Sequence, residues 1–174
     1  MFTYDDALRI ATAAHTGQTD KIGEPYIEHL KAVAASLKAA GESEKAQEVA
    51  LLQDTMGEST AYTPEKLAGL GVPEDIIDIL KLSTHRKDQA YIDEYSCKLM
   101  AEAMPAEDAT YEAREKEFLR FIDKVKANPV ARAVKIETLK RLLDENLIPK
   151  AERREKKTKF RIHKYEAALK ALEA

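Results

Sequence analysis

Gln53 and Asp54 break the apolar segment VALLQDTMGEST just where its hydrophobic face turns inward. An amide and a carboxylate buried without partners cost several kcal/mol, so residues of this kind normally line a pocket or join a network. Glu58 follows Asp54 by four residues, on the same face if the helix continues past Gly57. His29 lies one residue off the Ile27/Leu30 face of its own segment, and Thr138 follows Val134 by one turn, flanked by Glu137 and Arg141. His29 with Asp54 would make a base and its orienting carboxylate, the arrangement general acid–base chemistry uses; two residues hydrogen-bonding locally fit the same pattern. Glu58 and Glu137 offer a desolvated carboxylate base, or ordinary ion pairs with Arg141 or Lys135. Cys97 would be a nucleophile with a histidine in reach and a lowered thiol pKa, and otherwise is a small buried hydrophobe. Ser59, Ser83 and Ser96 supply hydroxyls, none within a GxSxG-type elbow.

Helices must position all of these. Apolar residues recur at three-and-four spacing, and no stretch alternates with period two. Thr3 with Asp6 forms a capping-box pattern that opens a first helix running to about His15, followed by a polar loop from Thr16 to Glu24. Pro25 suits the first turn of a second helix, which buries Ile27, Leu30, Ala34 and Leu37 and stops near Gly41. A third helix opens at Ser43 with Ala46, Val49, Ala50 and Gln53 on one face. Thr63-Pro64 and Val72-Pro73-Glu74 begin two short helices. Further helices run from about Gln89 to Ala103, through Phe118 to Val125, from Val130 to Leu143, and along the stripe Ile162, Tyr165, Leu169 and Leu172. No repeat or long linker divides them, so the reading is a single all-α domain over residues 1–174.

Bulk properties narrow the classes. The 28 basic and 31 acidic residues are interspersed, giving a net charge of −3 and no field favouring nucleic acid or an anionic membrane. The basic run from Lys150 to Lys159 reads as a solvated helix face rather than a nucleic-acid contact. A single cysteine excludes an internal disulfide and a multi-cysteine zinc site. The N-terminus lacks the basic start and apolar run of a signal peptide, and no segment approaches the ~20 apolar residues of a membrane span, so cytoplasmic residence is expected.

The wording of four segments, AHTGQTDKIGEPYIEHLKAVA, ALLQDTMGEST, YTPEKLAGLGVPEDIIDILKLSTHRK and NPVARAVKIETLKRLLD, resembles the HD-domain (p)ppGpp hydrolases. These comprise the RelA/SpoT-type hydrolase domain and its small stand-alone relatives. The likeness runs from about Ala7 to Tyr165, with the stretch from about Cys97 to Phe118 lacking a counterpart in the smallest members. It implies an HD-type helical bundle. In that family a divalent metal, usually Mn²⁺, is held by a His after a PYI-type segment, the HD pair and a distant Asp. Carried over by position, His29 is retained, Gln53 stands for the HD histidine, Asp54 is kept, and Thr138 replaces the distant Asp. The acidic pair after HD corresponds to Gly57 and Glu58, and the His-Asn after the distant Asp to Arg141 and Leu142. Thr55, Gly57, Glu137, Arg141 and Lys21 would line the pocket; Lys21, His15 and Arg86 match positions where the family has basic or polar groups near the nucleotide.

Amide and hydroxyl oxygens are weak substitutes for imidazole and carboxylate on a transition-metal dication. Without the dication no bound water is acidified into a nucleophile at neutral pH. The resemblance therefore implies a site-altered HD scaffold with no metal, no cofactor and no (p)ppGpp hydrolysis. Its pocket would be remade for a small molecule, by redesign (a metal-independent hydrolase included) or as a natural pseudoenzyme that binds a nucleotide or protein partner without turnover. Oligomeric state is left open.

Overall fold

The computed structural model describes residues 1–57 and 60–174; Glu58 and Ser59 lie outside the described residues. Among them the architecture is all-α: α1 (Tyr4–Ala14), α2 (Tyr26–Ala39), α3 (Glu44–Leu52), α4 (Pro64–Gly69), α5 (Glu74–Ser83), α6 (Gln89–Ala101), α7 (Ala106–Lys126), α8 (Pro129–Leu142) and α9 (Lys156–Glu173), with one 3₁₀ turn at Glu145–Leu147.

Short side chains set most of the starts. Thr3 accepts from the Asp6 amide while Asp6 accepts from the Thr3 amide, closing the capping box on α1. Ser43, Thr63, Asp88 and Asn128 cap α3, α4, α6 and α8 in the same way, and Pro64 and Pro129 occupy first-turn positions that need no N–H. Pro25 differs from expectation. It is the residue before α2, extended at ψ 130°, because the loop ahead of it closes through a bridge between Thr19 and Pro25. The far end of α2 is a Schellman turn: Glu42 donates to the Leu37 carbonyl and Gly41 to that of Lys38, with Gly41 at φ +79°. The same two bonds end α6, but there Ala103 takes the left-handed position at φ +68°, and the helix stops at Ala101 rather than Ala103.

Helix α8 is central. It packs on α2, α3, α5, α7 and α9, and its Ala131, Val134 and Leu139 are buried. The core joins Ile10 and Ala11 of α1, Leu30 to Leu37 of α2, Val49 to Leu52 of α3, Ile76 to Leu80 of α5, Phe121 to Val125 of α7 and Leu172 of α9. Ile27 and Ile162, expected in the inner stripes, are only half-buried; Val33, Ala168 and Thr158 take fully buried positions instead. Helix α6 stands apart from this core. It packs on α7, and Ile92, Ala109 and Ala113 are buried outside the main cluster.

The basic run is not one helix face. Residues 150–155 form turns, in which Arg153 donates to the carbonyls of Ile148 and Glu145, while Lys156 pairs with Glu107 and Asp108. Arg153 holds its own turn, and Lys156 ties α9 to the start of α7. Among the described residues no helix is long and apolar enough to cross a membrane.

Candidate functional site

Helix α3 ends at Leu52, so Gln53 and Asp54 sit on the turn that leaves it rather than within a continuing helix. The expected alignment of Glu58 with Asp54 falls outside the described residues. From this turn Gln53 reaches α8: Thr138 Oγ1 lies 3.1 Å from Gln53 Oε1 and 2.8 Å from the Val134 carbonyl. Both residues are buried, 85 positions apart in sequence. A hydroxyl has one proton to share between two acceptors, and the Val134 carbonyl is nearer. Gln53 Nε2 is buried without a hydrogen-bond partner among the described residues.

Asp54 turns the other way. Its Oδ2 accepts from the Tyr26 hydroxyl at 2.5 Å. Burial first, and the neighbouring carboxylate second, push the Tyr26 phenol far above its ordinary range, so it stays a donor. His29, one turn along α2 from Tyr26, does not hydrogen-bond Asp54; its Nδ1 accepts from Arg141 Nε at 3.1 Å. Since Nδ1 is the acceptor, the ring proton is on Nε2. Burial holds the imidazole below its ordinary pKa, Arg141 adds to this, and Asp54 and Asp20 oppose it. The neutral ring thus presents an N–H, not a free lone pair. The anticipated base-and-carboxylate pair is replaced by two separate bonds, Tyr26 to Asp54 and Arg141 to His29.

His29 and Arg141 open onto a cleft of about 360 Å³. Tyr26, Tyr165, Leu147 and Ile148 give it aromatic and aliphatic walls; Lys21, Arg161 and Asp20 bring charge. The loop of residues 16–25 is held by its own bonds, since Asp20 Oδ1 accepts from the amides of Ile22 and Glu24, and the Tyr26 amide donates to the Gln18 carbonyl. Lys21 reaches Glu152 at 3.7 Å. His15, buried, meets Tyr26 in a tilted ring contact at 5.0 Å and bonds Gln18 through Nδ1, leaving Nε2 without a partner among the described residues.

Other anticipated residues lie elsewhere. Thr55 is fully buried and donates to the Leu52 carbonyl, facing the core instead of the cleft. Gly57 is beside the Asp54 carbonyl, where a Cβ would come within 3.2 Å. Glu137 pairs with Lys140 at 3.4 Å, not with Arg141 or Lys135, and edges a different depression beside Ile136. Arg86 lines a separate depression with Arg120 and Lys124. Cys97 is exposed on α6, away from the cleft, which overturns its reading as a buried hydrophobe. Tyr26, Tyr165 and Arg161 are cleft residues that the residue types alone did not single out. The signal for Tyr26 was its place three residues before His29; Arg161 precedes Tyr165 by one turn of the last stripe.

The side chains do not make a cage for a dication. Gln53 and Thr138 face each other, the His29 lone pair is held by a guanidinium, and Asp54 is held by a phenol. Among the described residues no three His, Cys, Asp or Glu side chains cluster as a metal site would need.

No family model and no curated protein matches the chain. Among solved structures, one described as a metazoan orthologue of SpoT that hydrolyses ppGpp covers 97% of this chain and 94% of its own, at 16% identity and a TM-score of 0.42. A likeness that loose carries no residue roles across.

Proposed function

We propose that this chain is a metal-free small-molecule-binding protein on an HD-type scaffold, without the metal-dependent phosphohydrolase activity its sequence motifs suggest. One observation carries the reading: the Arg141 guanidinium hydrogen-bonds His29 Nδ1 at 3.1 Å. A cation occupies the lone pair that a metal would need, and a second cation beside it would be repelled. The Gln53–Thr138 pair supports the same conclusion, since neither offers a charged or imidazole donor. Binding is favoured over metal-free hydrolysis because the two groups suited to act as bases, His29 and Asp54, already accept hydrogen bonds from Arg141 and Tyr26.

The test is Mn²⁺ binding followed by electron paramagnetic resonance, alongside (p)ppGpp turnover. The wild-type chain is expected to leave Mn²⁺ free and to show no metal-dependent hydrolysis. Gln53→His with Thr138→Asp should still bind weakly while Arg141 remains, and tighten when Arg141→Gln is added. Stoichiometric Mn²⁺ on the wild-type protein would overturn the reading.

A further inference from the structure

Arg141 and Arg161 both line the cleft, both are half-buried, and neither has a carboxylate partner among the described residues. Cations taken partly out of water without a counter-charge are unfavourable, and an anion between them would relieve that cost. Arg141 spends its Nε on His29, which leaves its terminal nitrogens for a ligand. The His29 ring adds an Nε2–H donor at the same wall.

Charge balance limits what the anion can be. Against Lys21, Arg141 and Arg161 stand Asp20 in the lining and Glu152 on Lys21, which leaves a surplus of one positive charge. Asp54 is held behind the Tyr26 hydroxyl with the Lys135 side chain opposing its charge, and leaves that surplus of one in place. A polyphosphate would bring several uncompensated negative charges into a cleft that already holds carboxylates. Size points the same way: 360 Å³ is near the low end of small-molecule sites, which span about 300–1,000 Å³. The remaining walls are the Tyr26 and Tyr165 rings with Leu142, Leu147 and Ile148, suited to a flat apolar body.

We infer that the cleft takes a planar aromatic monoanion, a carboxylate or sulfonate, with its charge on Arg141 and Arg161 and its ring against the tyrosines. This rests on the small-molecule-binding reading above. Calorimetric titration of the full chain with 2-naphthoate, 2-naphthalenemethanol and guanosine diphosphate tests it. One naphthoate should bind, the neutral alcohol about tenfold or more weaker, and the diphosphate weaker than naphthoate. Arg141→Gln and Arg161→Gln should each weaken naphthoate by about tenfold, while Lys124→Gln, in a separate depression, should not. The Arg161 side chain makes no hydrogen bond among the described residues, so its variant reads the cleft even if Arg141→Gln disturbs folding. Equal binding of acid and alcohol, or tighter binding of the diphosphate, would overturn the monoanion inference and leave small-molecule binding standing. No heat from any of the three at millimolar concentration would remove both.

Discussion

Replacing Gln53 with leucine should make the protein more stable. Gln53 is 5% exposed, and its Nε2 has no hydrogen-bond partner among the described residues. An unpaired buried amide N–H group costs about 1–3 kcal/mol, which Gln53→Leu removes. The loss on the other side is the bond to Thr138, worth about 0.5–1.5 kcal/mol at most, and Thr138 keeps the shorter bond to Val134. Leucine is close to glutamine in length and adds apolar burial at a position only 5% exposed. The net is a gain of about 2 kcal/mol. For a chain of this size that raises the melting temperature by roughly 4–8 °C. With a urea m-value of about 2 kcal/mol/M, the midpoint moves up by roughly 1 M. Urea unfolding of wild type, Gln53→Leu, Thr138→Val and the double variant would also give the coupling, expected below about 1 kcal/mol. A loss of stability for Gln53→Leu at unchanged m-value would refute the reasoning, since Nε2 would then have a partner in solution that offsets its burial.

Tyr26→Phe removes the hydroxyl donor of Asp54 and should cost about 1.5–3 kcal/mol in the same urea assay, the range for hydrogen bonds to charged groups. Ala103→Gly relieves a left-handed alanine at the end of α6 and should stabilise by about 1 kcal/mol. His29 is held below its ordinary pKa in the native state, so the unfolded chain binds the extra proton first as pH falls. Its contribution is complete above about pH 6.5 and is lost on acidification through the lowered native pKa, so stability should rise with pH across that window. His163, raised by Glu115, acts in the opposite sense; comparison with His29→Gln isolates the His29 part of the slope in unfolding titrations.

The helices were legible because their signals are local. Thr3 with Asp6, Ser43, Thr63-Pro64 and Asn128-Pro129 each fix a start within four residues of sequence. Gln53 meets Thr138 across 85 positions and His29 meets Arg141 across 112; residue spacing gives no access to such pairs, and only the motif wording set these positions side by side. What stayed hidden was the direction of each polar group. Asp54 had a choice of donors, and the sequence has no means of saying that the Tyr26 hydroxyl wins over the imidazole. Glu137 likewise met Lys140 one turn away on its own helix instead of the pocket. The ends of α3 and α6 differ from the spacing for a related reason: Gln53 and Glu102 are compatible with helix, while the turns that follow close through the bonds of Thr55 to Leu52, Ala103 to Met100 and Met104 to Leu99.

The separation of α6 from the main core has its own consequence. Detaching it from α7 exposes Ile92, Ala109 and Ala113, which lie outside the main cluster, whereas α8 cannot move without disturbing five neighbours. Backbone amides of α6 should therefore exchange with solvent deuterium through a partial opening, while those of α8 wait for complete unfolding. The turn at Met104-Pro105 is then a place where the polypeptide can be lengthened, or another sequence spliced in, with the cleft left intact.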